Sequence, residues 1–278
     1  MHELSRDEFD EVLPLLSGPV FYPEAAGVIG GLNTGWVFVD RLHAPTSALV
    51  WVLGQECLYC LGDWANKEFV AEIARRSTGD LAERIRSLGF DTFDISGDSP
   101  EWDKPLLSAF SARGIGGIQT APQYVYRYGQ PKWRDVPERL HARPIDEAVL
   151  TSHMQNAGSL RKKVLDRWIS LEGFLETGLG YCIVEDDRIA SVCLSGWVFG
   201  QVHAVSVETY PGFRRRGLAR AATAALFEKY EQRGIEPHWD VMPTNEGSIA
   251  IAESLGLMKA YEYNVHFFRL PCTQMQTH

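Results

Sequence analysis

No apolar run in the chain is long enough to span a bilayer. Basic residues are in deficit, with 27 Lys and Arg against 36 Asp and Glu and a net charge of −9. Nucleic acid and anionic membrane are therefore poor main partners. Residues 1–6 lack the basic-then-apolar pattern of a signal peptide, so the expected location is the cytoplasm. Cysteine is sparse: five in 278 residues, an odd number that suggests no disulfide framework. Cys57 and Cys60 make a lone CxxC with no second Cys or His pair nearby. In a strand, residues three apart point to opposite faces, so the pair reads as buried strand cysteines and no metal site is expected. Neither a GxGxxG fingerprint nor a Gly-Lys-Ser/Thr loop occurs where the chain turns basic, which excludes the Rossmann and Walker phosphate sites there.

What is present is enough apolar sequence, 45%, for one large domain or two small ones. Residues 1–128 read as a mixed α/β unit. A helical stretch over 7–16 precedes strands at 35–40, 47–53 and 56–62; a helical pattern covers 66–88, then come a strand at 91–96, a helix near 105–113 and a strand at 124–128. Residues 129–140 hold two prolines and several charges and read as a linker. The second unit, 141–270, has helices near 146–154 and 160–171, a hairpin of 180–186 and 189–198, and a strand at 201–209. A long helix follows from Leu218 to about Gln232 with Gly234 as C-cap, then a strand at 238–242. A helix capped by Thr244 or Asn245 ends at Gly256, with the last strands within 257–269. A polar tail closes the chain at 271–278. The two units share one order of elements, and Asp94 in TFDIS answers Asp240 in HWDVM, which points to two copies of one α/β (α+β) fold.

The copies differ at one place. Between strand and helix the second carries ETYPGFRRRGLA (208–219), where the first has LGDWANKEF (61–69). Pro211 has no N–H and ends the strand. Arg214, Arg215, Arg216 and Arg220 form a basic knot on an acidic chain, which fits a small polyanionic ligand. A helix opening at Leu218 offers unpaired N–H groups and a partial positive charge. Such an end binds phosphate through its backbone. Gly217 and Ala219 keep that backbone open to close approach.

Two motifs, Arg214-x-x-Gly217-x-Ala219 and Asn245-x-x-Ser248 followed by Ala252-Glu253-Ser254-Leu255-Gly256-Leu257, together resemble the GNAT superfamily of N-acetyltransferases. More narrowly, Glu208-Thr209, Pro237-x-Trp239-Asp240 and Leu255-Gly256-Leu257 resemble the bacterial GNAT family that includes the zwittermicin A resistance acetyltransferase. The resemblance covers roughly 141–270 and implies a GNAT (acyl-CoA N-acyltransferase) fold, in tandem with a degenerate N-terminal half that binds no cofactor. It implies acetyl-CoA as cofactor, with its pyrophosphate held by the loop 214–220, Leu218 included. Asn245 and Ser248 would lie along its pantetheine arm, and the backbone of Val207 and Thr209 would meet the pantetheine and thioester. Many members carry a tyrosine at the position of Ala252 that protonates the departing sulfur. Here Ser248, one turn earlier on the same face, could give the hydrogen bond instead.

The base that takes the amine proton has three candidates. Asp240 and Glu208 lie at the strands flanking the cofactor, and His203 lies further back on the second strand, with an ordinary pKa near 6.5. Each also has a bland reading, as a turn cap, an ion-pair partner and a plain strand histidine. Trp168, Trp197 and Trp239 could line an acceptor pocket, though aromatic residues sit more often in cores. The expected activity is acetylation of a primary amine, taken as that of a small molecule; an acidic protein suits a cationic amine, whether an antibiotic, a polyamine or a peptide N-terminus. The alternatives are a protein or peptide N-acetyltransferase and, given Ala252, a catalytically silent acyl-CoA sensor.

Overall fold

A computed structural model describes residues 1–270; the expected tail at 271–278 lies outside the described residues. The chain divides into two compact units. The first holds Met1–Ala25, Gly35–Pro122 and the described residues from Tyr263 on; the second holds Ala26–Thr34 and Gln123–Glu262. These bounds depart from the expected cuts after 128 and before 141.

In the first unit the strands run in the order β1 (His2–Glu3), β2 (Gly35–Val39), β3 (Ser47–Val52), β4 (Cys57–Gly62), β5 (Thr92–Gly97) and the end of β12 (Leu257–Arg269). GWVFV and SALVWV are rich in β-branched and aromatic residues, CLYCLG is largely apolar, and β3 is buried along its whole length, as a strand covered on both faces should be. All neighbours are antiparallel except β4 and β5, which pair in parallel from Cys57↔Asp94 to Cys60↔Gly97. Cys57 and Cys60 are buried thiols on β4. The expected helix over 66–88 is two, α2 (Lys67–Ser77) and α3 (Asp80–Ser87). Thr78 bonds back to the carbonyl of Ala74 at 2.8 Å, and Gly79 takes a non-helical conformation, so the helix breaks between them. The opening stretch Arg6–Ser17 is a 3₁₀ helix rather than an α-helix, and α1 (Pro23–Ile29) had no counterpart in the sequence reading. The strands β2–β5 with α2, α3 and α4 (Asp103–Ala112) enclose a core in which Phe93 stacks on Phe268 at 5.0 Å.

The second unit takes β6 (Gln119–Tyr128) through its residues 123–128. Here Tyr124–Tyr126 pair with β11 (Glu236–Val241), not with β5. From there the order continues through β10 (Val202–Thr209), β9 (Arg188–Phe199), β8 (Gly180–Glu185) and β7 (Arg143–Pro144). The closing strands are thus exchanged in sequence: β6 follows the first set of strands but pairs in the second unit, and the end of β12 pairs with β5 in the first. Helices α5 (Glu147–Thr151), α6 (Ala157–Leu165) and α7 (Leu171–Thr177) cover one face, packing Val149, Leu160 and Phe174 against Val192 and Leu194. On the other lie α8 (Leu218–Arg233) and α9 (Glu246–Ser254), around Phe227, Trp239 and Ala252.

The segment 129–140 is not a free linker. Trp133 and Val136 are buried in the core with α8, and Arg134 and Arg139 pair with Glu231 and Glu228 of that helix. Asn33 ties 26–34 into the same unit, giving its amide to the carbonyls of Arg167 and Gly196 at 3.1 Å and accepting from the N–H of Val198 at 3.0 Å. Among the described residues no helix is long and apolar enough to cross a membrane.

Residues 1–128 alone therefore lack the strand that pairs with β5 and the ring that covers Phe93. That fragment is expected not to fold, and Phe268→Ala in the full chain is expected to cost about 3–5 kcal/mol. Circular dichroism and urea denaturation check both; a cooperative transition in the 1–128 fragment would contradict the exchange of strands.

Candidate active site

Strands β10 and β11 begin as partners and then part. They pair only over Val202↔Glu236, His203↔Pro237 and Ala204↔His238, while β10 continues to Thr209 against β9 and β11 continues against β6. At the parting point the β9–β10 register shifts between Ala204 and Val205, leaving Gly196 as an extra residue on β9. A bulge of this kind bends a strand and strengthens its twist.

The parting leaves backbone groups to be accounted for. The N–H of Tyr210 bonds to the carbonyl of Ala190 on β9 at 3.0 Å. Backbone polar groups alternate sides along a strand. Glu208 and Ser206 therefore also turn toward β9, and Val205, Val207 and Thr209 turn their N–H and C=O groups toward the cleft. At the outer end Arg214 Nε donates to the Thr209 carbonyl at 3.2 Å.

Beside this cleft begins α8. Gly217, its N-cap, has φ 77°, the left-handed region that favours glycine, and a Cβ there would meet no atom within 4 Å. No side chain caps the helix, and its first turn carries no acidic residue. The first residue of the turn to donate along the helix is Ala221, to the Gly217 carbonyl at 3.0 Å. That leaves the N–H groups of Leu218, Ala219 and Arg220 at an open, positively polarised end. Arg214 and Arg215 are exposed there, but Arg216 is turned to a bidentate ion pair with Glu185 at 2.8 and 2.9 Å. The Arg220 Nε is buried and finds no hydrogen-bond partner among the described residues. Asn245, not Thr244, caps α9, accepting from the Ser248 N–H at 3.2 Å. The Ser248 hydroxyl accepts from the Trp239 indole at 3.1 Å, which leaves its own proton to donate elsewhere.

The first unit shows what the same topology does without a cleft. There β4 and β5 stay paired to Cys60↔Gly97, and the side chain of Asn66 caps α2, accepting from the Phe69 N–H at 3.1 Å.

The face of the cleft away from α8 carries the ionisable groups. Glu208 lies on β10, paired at 2.8 Å with Lys163 of α6, whose side chain is 17% exposed. Beside it, the Arg167 guanidinium lies over the Trp197 ring at 4.9 Å. Asp240, half-buried, lies across on β11, and a polar atom of His238 stands within 4.8 Å of one of its own. In the first unit, burial and the nearby Glu56 push the matching Asp94 up to about 7. His203 points the other way, into the core against α8. Its Nδ1 meets Ser195 Oγ at 2.9 Å, its ring meets Tyr230 edge-on, and burial lowers its pKa to about 4. It is a strand histidine in the core rather than a base at the cleft. Trp168 and Trp239 are core residues too, donating to the Ser195 carbonyl and to Ser248; of the three tryptophans Trp197 alone stacks with a charge on the acidic face. Lys163, Arg167 and His238 were not singled out from the sequence. Alternation along HWD, which puts His238 on the face of Asp240, was the signal available for His238.

Three comparisons with known proteins bear on this geometry. A model of the family described as GNAT acetyltransferase matches residues 23–266. The chain is 26% identical over 272 residues, 96% of its length and 98% of the relative's, to the uncharacterized N-acetyltransferase YdfB of Bacillus subtilis (strain 168). Among solved structures it is similar to a GCN5-related N-acetyltransferase-like protein from Streptococcus suis 89/1591, with 21% identity, TM-score 0.64 and coverage of 95% of this chain and 99% of that one. It is also similar to a tandem GNAT protein from the clavulanic acid biosynthesis pathway, with 12% identity, TM-score 0.56 and coverage of 96% and 97%.

The buried imidazoles make stability depend on pH. Burial holds His203 at about 4 and His238 at about 3, both below the ordinary 6.5. The unfolded chain takes up these protons first, so the stability is complete above pH 6.5 and falls as pH drops toward 4 and 3, by about 1.4 kcal/mol per group and pH unit. Urea denaturation should show the parent weaker at pH 5 than at pH 7, and His203→Gln should lose less between those two values.

Proposed function

The chain belongs to the GNAT acetyltransferase family, and on that premise we propose that it moves an acetyl group from acetyl-CoA to the primary amine of a small molecule. The mixed α/β fold is GNAT-like, and its two halves fit the tandem arrangement among its structural relatives. The observation that carries the proposal is the juxtaposition of two open backbone features. The inward amides of Val205, Val207 and Thr209 line the parted strands, and the uncapped turn at Leu218–Arg220 stands at their outer end.

These features fit acetyl-CoA. Pyrophosphate suits the turn at Leu218, Ala219 and Arg220, where Gly217 leaves space and Arg214, Arg215 and Arg220 add charge. Arg216 contributes less directly, being paired with Glu185. The extended pantetheine suits the edge of β10, and Asn245 and Ser248 flank it from α9. When bound, acetyl-CoA supplies the acetyl thioester. The chain does the rest: the cleft-facing N–H groups of Val207 and Thr209 hydrogen-bond the pantetheine and polarise the carbonyl. One ammonium proton of the acceptor passes to a carboxylate, the nitrogen lone pair forms the C–N bond as the C–S bond breaks, and a second N–H proton leaves with the sulfur. Ser248 donates to that sulfur in place of the tyrosine lost at Ala252, helped by the low basicity of a thiolate.

Of the two carboxylates, Asp240 suits the base better. Glu208 is already engaged by the Lys163 ammonium at 2.8 Å, whereas Asp240 lies beside His238 on the facing strand. Glu208 then attracts the acceptor's ammonium group. In the first unit β4 and β5 stay paired and Asn66 caps the helix start, so neither backbone feature is open there and one CoA binds per chain. The narrower likeness carried by Glu208-Thr209 and Pro237-x-Trp239-Asp240 favours a small amine over a protein.

The test is acetyl-CoA-dependent mass gain on a panel of an alkylamine, a polyamine, an amino sugar and an amino acid. Calorimetry should give one CoA per chain, and Gly217→Glu, which sets a carboxylate against the phosphates, should abolish it with a modest fall in melting temperature. CoA binding without turnover of any amine would mark a sensor instead. Asp240→Asn should lose roughly 10²–10⁴-fold in turnover, partly restored at high pH, and Glu208→Gln should chiefly raise KM for the amine. A reversal of these two effects would move the base to Glu208.

A further inference from the structure

His238 ends the ladder between the parting strands, since Ala204↔His238 is their last pair. It is 1% exposed, yet among the described residues neither of its ring nitrogens finds a hydrogen-bond partner. Buried polar groups in folded proteins are almost always paired, and an exception calls for an explanation. The neighbouring strand shows that this fold can satisfy a buried histidine: His203, just as enclosed, has Ser195 at 2.9 Å. His238 differs in direction as well. Trp239 takes the face toward α8, so His238 shares the opposite face with Asp240, whose carboxylate lies within 4.8 Å of a ring nitrogen. Burial, and less so the charge of Arg127, keep the ring neutral near pH 7.

A neutral imidazole has one N–H to give and one lone pair to receive. An amine that has lost its ammonium proton still has N–H groups to donate, and its attack requires the lone pair to point at the carbonyl. Resting on the function proposed above, we propose that His238 binds the acceptor nitrogen, accepting an N–H from it at the closed end of the cleft so that its lone pair faces the acetyl group, while Asp240 takes the proton. The ring itself gains no proton in the reaction. It is a contact to substrate whose cost is an unpartnered buried group in the free protein. This reading differs from that of a packing histidine in one respect: an apolar ring of similar size would serve packing as well or better.

The experiment compares His238→Phe and His238→Gln with the parent, using acetyl-CoA and the best amine of the panel, with melting temperature and CoA affinity measured alongside. His238→Phe should melt at or above the parent and bind CoA equally, yet lose about 100-fold or more in kcat/KM for the amine. His238→Gln, which keeps an acceptor and a donor, should stay within about tenfold of the parent. Phe turnover within threefold of the parent, or Gln as impaired as Phe, overturns the proposal. If Phe melts lower, the Gln variant decides: retained turnover supports the hydrogen bond and lost turnover refutes it. A parent inactive on every amine overturns the proposed function and this inference with it. An active parent with an unaffected Phe variant overturns this inference alone.

Discussion

The site depends on two strands that stop pairing. A backbone amide withdrawn from water needs a partner, and a parallel pair normally supplies one at every step. Here β10 and β11 pair for three residues and then separate, so the amides of Val205, Val207 and Thr209 are turned toward the cleft instead of a strand. The bulge at Gly196 bends β9 and β10 at that point, while β6 holds the outer half of β11 in place. The first unit is the natural control. With β4 and β5 paired to Cys60↔Gly97 and Asn66 closing the helix start, it keeps the topology and loses the opening.

Charge is distributed to match. An acidic chain concentrates arginines at one helix start, then restrains part of that charge by setting Glu185 against Arg216. On the opposite face Lys163 does the same to Glu208. Two acidic residues at similar positions thus stand in different surroundings, one against an ammonium and one beside an imidazole. Asp240 shares its face with a neutral histidine.

Exchange of the closing strands ties the two halves of the sequence together. Each unit takes a strand from the other half, and Asn33 carries a short N-terminal segment into the unit that holds the cleft. Halves of a sequence that exchange strands are hard to separate, because each contributes residues to the other's sheet.

Local chemistry made much of this legible in the sequence. Alternation and β-branched content marked the strands, Gly234 the end of α8, and the run RRRGLA between strand and helix the basic helix start, because each depends on near neighbours along the chain. The packing of Trp133 in a segment that reads as a linker and the destination of β6 did not follow, since each is decided by a partner far away in sequence. The same holds within the site. Residue type alone named Glu208, Asp240 and His203 as bases, and only tertiary structure set Lys163 against the first, buried the third against Ser195 and Tyr230, and left His238 beside the second. Sequence determined which groups are present; burial and the sign of the nearest charge, which exist only once distant strands and helices meet, decided the surroundings of each.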